Sequence, residues 1–397
     1  MLSFISKLFF KNLLISSLCG QLNKTNCCEW SGVTCDSKTG HVTGLGLMSC
    51  GLVGEISHSL VNLTYLNYLD LSFNSFHGTI PAIIGTLTQL RYLLLRNNNL
   101  NGTIPRSIGS LTELRELHLS FNSLYGTIPP EFGNLTNLEG LYLSNVGRCR
   151  VENLDWLSPL SHLEWLFIEG ISLAKTNHWV DVILSLRKLL WLSLSGCELS
   201  QVMYPYSSSF LNSSYSSSIE YLSLRNNSLT SSMYRWLFPL TSNKLFHLDL
   251  SSNMLDGISK YLGNLCSLET LFFDNNPAVV TFPDFLNNLS GCTSLSLQRL
   301  YASGSQFTGS LPDDIQKFTS LTGLSLSENQ LKGTISKKLW ELPNLTYLEL
   351  SENSLQGFPS SDYMSNLPDI EYIDLSSCKL GPRFPKWIQK FKKFYPY

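Results

Sequence analysis

Short runs in which leucine alternates with other residues recur along the chain at a fixed step. The step is 24 residues, and four kinds of position keep it: Leu71, Leu95, Leu119 and Leu143; Asn74, Asn98 and Asn122; Gly78, Gly102 and Gly126; Pro81, Pro105 and Pro129. Self-similarity of this kind indicates a repeat array, in which each unit packs only on its neighbours.

One unit predicts a strand, a turn and an extended return. In residues 92–95, Leu93 and Leu95 alternate with Tyr92 and Leu94, as in a short strand with one buried face. Asn98 turns the chain, and a ladder of identical asparagines would satisfy its buried amide. Gly102 permits a second bend. Pro105 disfavours helix before it, and Ile108 then returns to the core.

These units predict an α/β repeat solenoid. We expect a right-handed, curved leucine-rich-repeat superhelix of about fourteen units, with a parallel concave β-sheet and a mostly irregular or 3-10 convex side. The unit is longer between residues 146 and 218, where Asn153 to Trp156 and Asn177 to Trp179 extend the convex side. Residues 207–218 predict a Ser-rich loop, and another insertion lies between Asn287 and Leu295.

Charge and hydropathy argue against nucleic-acid binding and against a membrane-spanning segment. Charged residues are only 15% of the chain and the net charge is −2, so no basic field is present to bind nucleic acid. No apolar run reaches the roughly 18 residues that span a bilayer. The best candidate, residues 8–18, is broken by Lys11 and Asn12. It predicts either a secretory signal or the amphipathic first helix of a cap.

Cysteines and glycosylation sequons favour an extracellular protein. The chain has ten cysteines, and sequons are typical of a glycosylating, oxidising compartment. We expect most glycans on the convex side or the edges, leaving the concave sheet free. The sequons begin at Asn23, Asn62, Asn101, Asn134, Asn212, Asn226, Asn288 and Asn344.

Two disulfides are predicted. Cys28 and Cys35 flank Trp30 and would staple a small cap over the first coil. Cys266 and Cys292 occupy comparable positions in adjacent units, and coils stack about 5 Å apart, which suits a bridge. Two cysteines lack a firm partner: Cys27, with only Cys19 upstream, and Cys149.

Three other cysteines take the position that asparagine holds elsewhere in the ladder, and we predict that they are buried free thiols: Cys50, Cys197 and Cys378. No Cys/His cluster has zinc spacing, so we expect no metal and no other cofactor. The chain also lacks a nucleophile elbow, a phosphate loop and a His-Glu-x-x-His helix, so we predict that it is not an enzyme.

The outward positions of the concave sheet are the candidate ligand contacts. Aromatic residues and arginine are enriched at binding hot spots, although tyrosine and tryptophan also suit strands for structural reasons alone. The candidates are Tyr68, Tyr92, Leu94, Arg96, His118, Tyr142, Trp165, Phe167, Trp191, Tyr221, Arg225, His247, Phe272, Tyr347, Glu349 and Tyr372.

Several phrases resemble a known family. Leu-x-Gly-x-Ile-Pro at residues 100–105 resembles the plant-specific leucine-rich repeat, and Cys-Cys-Glu-Trp-Ser-Gly-Val-Thr-Cys at 27–35 resembles its N-terminal cap. Residues 154–157, 192–199 and 375–385 resemble the kinase-less receptor-like proteins of plant immunity. The resemblance covers residue 26 to about residue 389. It implies an extracellular ligand-recognition module at the plasma membrane, binding a peptide or protein, with a co-receptor or adaptor kinase as a further partner.

The predicted organisation follows. Residues 1–22 form a secretory signal or degenerate cap helix, 23–41 a cysteine cap, 42–389 the repeats and 390–397 a truncated end. Because no cap follows the last coil, we expect poor solubility and fraying from about Leu367. Two alternatives to the receptor module stay open: a secreted inhibitor similar to polygalacturonase-inhibiting proteins, and a non-functional truncated receptor.

Overall fold

The computed structural model describes residues 26–176, 178–199, 217–357 and 370–381, and the backbone of 394–395. The chain divides into two compact units, Met1–Asn212 and Ser213–Tyr397. The predicted leader or cap helix, most of the Ser-rich loop, the region from Leu367 to residue 369 and nearly all of the predicted truncated end lie outside the described residues.

Unit 1 contains a main sheet and a flank sheet. The main sheet is parallel except for its first strand, which pairs antiparallel with the second. Its strands are Val33–Cys35, Val42–Gly46, Tyr68–Asp70, Tyr92–Leu94, Glu116–His118, Gly140–Tyr142, Trp165–Phe167 and Trp191–Ser193. The flank sheet is parallel, with strands Val53–Glu55, Ser75–Thr79, Asn99–Thr103, Ser123–Thr127 and Gly147–Arg150.

The side of unit 1 opposite the main sheet is built mainly from 3-10 helices, as predicted. They are Cys27–Glu29 in the cap, then His58–Asn62, Ala82–Thr86, Arg106–Ser110, Pro130–Asn134 and Asp155–Leu157. The predicted longer segments add one 3-10 turn around the buried Trp156 and an α-helix, Trp179–Ser185, whose Trp179 is fully buried.

Unit 2 repeats the parallel main sheet but has more helix. Its main strands are Tyr221–Ser223, His247–Asp249, Thr270–Phe272, Arg299–Tyr301, Gly323–Ser325, Tyr347–Glu349, Tyr372–Asp374 and Phe394–Tyr395. A small flank pair joins Lys332–Gly333 to Ser354–Leu355. The helices are Tyr234–Leu237, Phe282–Leu289, Thr293–Ser296 and Lys337–Trp340, with 3-10 helices Ser231–Met233, Phe238–Leu240, Lys260–Asn264 and Asp313–Lys317.

Leucine ladders form the core. Leu71, Leu95, Leu119 and Leu143 are each fully buried on the same side of the main sheet, which confirms the 24-residue repeat. The flank segments contribute Ile108 and its counterparts to the same core. No helix in the described part of the chain is long and apolar enough to cross a membrane.

The asparagine ladder forms as predicted. The side-chain nitrogen of Asn98 donates to the carbonyl oxygen of Leu95 at 3.2 Å and to that of Leu71, one coil earlier, at 2.9 Å. Its side-chain oxygen accepts from the amide of Phe76 at 3.0 Å. Each such residue therefore ties two coils together and leaves no buried amide unsatisfied.

Both predicted disulfides, Cys28–Cys35 and Cys266–Cys292, are present, with Cα–Cα distances of 5.6 and 4.9 Å. Cys197 and Cys378 form no disulfide, and their thiols donate to the carbonyl oxygens of Ile168 and Leu350, as the ladder asparagines do. The prediction for Cys50 is wrong, because Cys50 is disulfide-bonded. Cys50 is only half-buried, unlike the fully buried Cys197, so its sulfur is accessible to a second cysteine. Two further thiols are free and buried: Cys27 and Cys149.

Candidate functional site

Alternation along each main strand divides its side chains between the core and the outward face of the main sheet, which is the predicted concave face. In the strand Tyr92–Leu94 the central Leu93 is fully buried, whereas Tyr92 and Leu94 are half-buried and point outward. Successive strand residues point to opposite faces, so every coil contributes two outward strand residues and one more just beyond the strand.

The predicted contact residues occupy these outward positions. Within the strands they are half-buried: Tyr68, Tyr92, Leu94, His118, Tyr142, Trp165, Phe167, Trp191, Tyr221, His247, Phe272, Tyr347, Glu349 and Tyr372. Arg96 and Arg225 lie two residues beyond their strands, and Arg225 is exposed. The sequence pattern therefore assigns the outward direction correctly, and the ring contacts show which of these residues meet.

In unit 1 the rings form a stack across three coils. His118 lies 4.6 Å from Tyr142, and Tyr142 lies 5.2 Å from Phe167, both in near-parallel arrangements. Trp165 and Trp191 face each other in register on neighbouring strands. Stacked rings bury their faces against one another, so their edges and polar tips remain to contact a ligand.

The Tyr142 ring lies along its own strand. It has room there because the preceding residue on the same face of the strand, Gly140, has no side chain. A Cβ added at Gly140 would come within 2.8 Å of the Tyr142 ring. Burial raises the pKa of the Tyr142 hydroxyl to about 12, so this hydroxyl stays protonated and can donate a hydrogen bond. Gly140 is thus a positioning residue for the centre of the unit 1 stack.

Unit 2 has its own aromatic series. Tyr221 stacks on His247 at 4.2 Å, His247 lies 5.3 Å from Phe272, and Phe272 stacks on Tyr301 at 4.6 Å. Gly323 and Ser325 take the outward positions of the next strand and interrupt the series. A separate pair, Tyr347 and Tyr372, stacks at 4.7 Å.

The charges around the unit 1 stack are mixed. Burial and the nearby Arg96 guanidinium lower the pKa of His118 to about 4, so its imidazole is neutral at ordinary pH. Burial raises the pKa of the Glu116 carboxyl, and Asp70 and Glu139 add to this while Arg96 opposes it. The Arg96 guanidinium also lies 4.6 Å from the centre of the Phe73 ring, a cation–π contact.

In unit 2, outward carboxylates are held by hydrogen bonds rather than by cations. Asp249 accepts from the Ser251 amide at 2.9 Å, and Asp274 accepts from the Ser303 amide at 2.8 Å. Glu349 accepts from the Tyr347 hydroxyl at 3.0 Å, which helps burial to raise the pKa of that hydroxyl. Among the described residues, none of these three carboxylates takes part in a salt bridge.

Sequence reasoning missed part of this surface. Tyr301 closes the unit 2 series, but Ala302 stands where the repeat expects leucine, so the strand was not recognised by its leucines. Asp70, Glu116, Asp249 and Arg299 also occupy outward strand positions. Position alone could have found them, because they hold the same places in their coils as the predicted aromatic residues.

The described residues contain one grouping with metal-ligand spacing, the sulfurs of Cys27, Cys28 and Cys35, which lie within 4.8 Å of one another. Cys28 and Cys35 share a disulfide and therefore cannot act as thiolate ligands. The group is best explained as part of the disulfide cap.

Family models place the repeats independently of this geometry. A leucine-rich repeat region matches residues 45–273, more than half of the chain, and further leucine-rich repeats match residues 296–318 and 319–380. The chain belongs to the leucine-rich-repeat family. Its family and fold are those of leucine-rich-repeat ectodomains.

The similar curated proteins are plant receptor-like proteins, which confirms the resemblance inferred from the sequence. Receptor-like protein EIX1 of Solanum lycopersicum is 32% identical over 270 residues, which cover 64% of this chain and 23% of that protein. Receptor-like protein 48 of Arabidopsis thaliana is 48% identical over 65 residues, 16% of this chain and 8% of that protein. The chain thus spans only a minor part of the length of these relatives.

Solved leucine-rich-repeat structures share the fold. The plant peptide hormone receptor RGFR1, in complex with RGF2, is 26% identical and has a TM-score of 0.57, covering 92% of this chain and 67% of that one. PEPR1, crystallised with AtPEP1, is 23% identical with a TM-score of 0.59, covering 100% of this chain and 51% of that one, and at this identity shows the fold alone.

Proposed function

We propose that this chain is the ligand-recognition part of a plant cell-surface receptor-like protein, acts outside the cell in defence signalling, and binds a peptide or protein on the outward face of the main sheet. The receptor role is supported by the similar curated proteins, which are receptor-like proteins, and by RGFR1, whose structure is in complex with RGF2. The disulfides Cys28–Cys35 and Cys266–Cys292 suit an oxidising compartment. A co-receptor or adaptor kinase would be a further partner.

The outward face carries this proposal because it holds side chains that the fold does not need there. The core is already closed by the leucine and asparagine ladders, yet the outward positions bear half-exposed rings such as Tyr142, Phe167 and Phe272. Aromatic side chains in this state are the usual hot spots of protein interfaces. The hydrogen-bonded carboxylates of Asp249, Asp274 and Glu349 add polar contacts of defined direction.

The arrangement suits an extended ligand that crosses the strands. Neighbouring coils are spaced as paired strands, about 5 Å apart, so such a ligand meets a new pair of outward residues at each coil. Recognition would depend on the succession of these pairs. The curated relatives described above are receptor-like proteins, and they favour the receptor role over the secreted-inhibitor alternative.

Saturable binding by the secreted full chain tests the proposal. The probes are fractionated proteins and peptides secreted by plant-associated microbes and by plant cells. One variant removes the unit 1 stack (His118→Ala, Tyr142→Ala, Phe167→Ala), and another removes the unit 2 series (His247→Ala, Phe272→Ala, Tyr301→Ala). A matched control removes three exposed apolar side chains away from the main sheet: Phe238, Val279 and Leu295.

We expect a component that binds the parent chain and loses about tenfold or more in affinity with at least one stack variant, because hot-spot residues each contribute at least about 1.4 kcal/mol. The control should bind as the parent does. Equal binding by both stack variants and the parent would contradict recognition by the main sheet. Absence of any saturable component would contradict the receptor role itself.

A further inference from the structure

A sequon lies in the middle of the flank sheet of unit 1. Asn101 is exposed in the strand Asn99–Thr103 and begins Asn-Gly-Thr. Its partners in register on the two neighbouring strands are Thr79 and Ser123, both with small side chains. The sheet therefore leaves open space on both sides of the Asn101 amide.

An exposed aromatic ring lies diagonally across from that amide. Thr103 pairs with Tyr125, so Tyr125 is two residues beyond Ser123 and on the same outward face as Asn101. Diagonal positions on neighbouring strands are separated by roughly 7–8 Å, within reach of an aromatic side chain. Tyr125 is 52% exposed, and within the described part of the chain its ring stacks on no other ring.

We propose that Asn101 carries an N-linked glycan whose first N-acetylglucosamine packs on the ring of Tyr125. The donor is a lipid-pyrophosphate-linked oligosaccharide. The amide nitrogen of Asn101 bonds to the anomeric carbon, the lipid pyrophosphate leaves, and the amide loses one proton. The C–H face of the sugar then covers the aromatic face of Tyr125, while the sugar hydroxyls remain in water.

Two other sequons in the described part of the chain lack one of these features. The side-chain nitrogen of Asn288 is half-buried and donates to the carbonyl oxygen of Ile258 at 3.1 Å, so it is less accessible to a sugar donor. Asn134 is exposed, but its counterpart one coil earlier, at the end of the preceding 3-10 helix, is Ser110. Asn101 combines an accessible amide with a neighbouring ring.

Two consequences follow for the molecule. The glycan removes apolar Tyr125 surface from water and so stabilises the flank sheet. It also occupies the flank of unit 1 and leaves the outward face of the main sheet uncovered. The inference requires only that the chain enters a glycosylating compartment, and it does not depend on which ligand the main sheet binds.

A double-mutant cycle on the full chain, secreted from plant cells, tests the packing. Glycopeptide mapping first gives the occupancy of Asn101 and Asn134. Thermal melting then compares the parent, Asn101→Gln, Tyr125→Thr and the double variant. We expect loss of the glycan to lower Tm by about 2 °C or more when Tyr125 is present, and by clearly less when it is threonine.

Three further samples sharpen the result. Tyr125→Phe should keep the coupling, because the ring face is retained. Enzymatic trimming to a single N-acetylglucosamine should also keep it. Asn134→Gln should show no coupling to Tyr125. A bare Asn101 in secreted protein that is glycosylated at Asn134 would overturn the inference while leaving the extracellular role intact. Equal Tm losses with and without Tyr125 would overturn the packing.

Discussion

Residues 66–143 and residues 217–321 build leucine-rich-repeat coils by different means. In the first region, here the regular coils, each return segment is a five-residue 3-10 helix preceded by a flank strand. In the second, the irregular coils, α-helices such as Phe282–Leu289 occur alongside 3-10 helices such as Lys260–Asn264. Flank pairing among the described residues of the irregular coils is limited to single bridges, Thr230 to Met254 and Thr281 to Thr308.

The regular coils depend on close backbone approach. A Cβ added at Gly85 would lie 2.3 Å from the carbonyl oxygen of Ser107, and one at Gly109 would lie 2.4 Å from that of Glu131. Glycine is therefore required where successive 3-10 helices stack. The core side chains of these coils are mostly aliphatic and repeat from coil to coil, with Phe76 and Phe132 as the exceptions.

The irregular coils fill more of their core with aromatic rings that contact one another. Phe285 lies 5.0 Å from Phe273 and 4.8 Å from Phe307, and Phe282 lies 5.7 Å from Phe307. All four side chains are fully buried. The irregular coils also contain a close backbone contact, since a Cβ added at Gly291 would lie 2.1 Å from the Gly263 carbonyl oxygen. The comparison teaches that regular coils should be sensitive to atoms added at each 3-10 stack, whereas irregular coils should be sensitive above all to atoms removed from their aromatic core.

The largest effect is expected from Phe285→Ala. Loss of a buried phenylalanine and the cavity that remains cost about 3–5 kcal/mol. Neighbouring repeats contribute most to local stability, so hydrogen exchange should accelerate most in coils 217–321. Leu95→Ala is the matched change in a regular coil, and should accelerate exchange in coils 66–143. Exchange that accelerates equally in both regions with either variant would contradict separate local cores.

Glycine substitutions test the opposite sensitivity. Gly109→Ala should cost about 1–3 kcal/mol, because the added methyl meets backbone that has to move. Gly257→Ala in an irregular coil should cost less, since its Cβ would meet only the side-chain methyls of Val280, at 3.1 Å. Urea unfolding of both variants gives the comparison. A greater loss for Gly257→Ala would refute the assignment of close approach to the regular coils.

The same contrast explains what the sequence predicts well. The 24-residue step predicts the regular coils because each position plays the same structural role in every coil. Leu95 packs in the core, and Asn98 hydrogen-bonds two neighbouring coils together. The Phe282–Leu289 helix was missed, although Thr281 caps it by accepting from the amide of Asp284 at 3.3 Å and Pro283 stands in its first turn. These helix signals occur once and do not recur from coil to coil, so a search for the 24-residue repeat does not detect them.

The sequence predicts which side chains of the candidate site point outward, but it does not predict which of them contact one another. Alternation with buried leucine shows that Tyr142 and Phe272 point outward. It cannot show that Gly140 makes room for Tyr142, or that Tyr301 completes a series with Phe272, because those contacts depend on rotamers and on coils of unequal length. The Cys50 disulfide was missed for a related reason, since the ladder pattern does not show that Cys50 is only half-buried.

Ladder substitutions produce an intermediate effect. Asn98→Ala leaves the Phe76 amide without its partner, and a buried unsatisfied group costs about 1–3 kcal/mol. The carbonyl oxygens of Leu71 and Leu95 also lose a donor, although Asn74 and Asn122 still donate to them. In an irregular coil Ser305 holds the ladder position and donates to the Phe273 carbonyl oxygen at 2.8 Å. Ser305→Ala removes fewer hydrogen bonds than Asn98→Ala does, so the urea midpoint of unfolding should decrease less in Ser305→Ala. Equal decreases in the urea midpoint would mean that the asparagine ladder stabilises the regular coils no more than Ser305 stabilises an irregular coil.

The smallest effect concerns pH and the His118 imidazole. Burial and Arg96 lower its pKa to about 4 in the folded chain, against about 6.5 when unfolded. Between these values the unfolded chain binds the proton and the folded chain does not, so stability falls as the pH decreases from about 6.5 toward 4. The raised pKa of Glu116 acts in the opposite sense over the lower part of this range, because a carboxyl that protonates more readily when folded favours folding at low pH.

The difference between the parent and His118→Gln cancels most of the Glu116 contribution. Tm measured at pH 7 and pH 5 should therefore decrease more in the parent than in His118→Gln. Identical decreases would show that the imidazole takes up its proton in the folded chain as readily as in water, and that the unit 1 stack does not bury it.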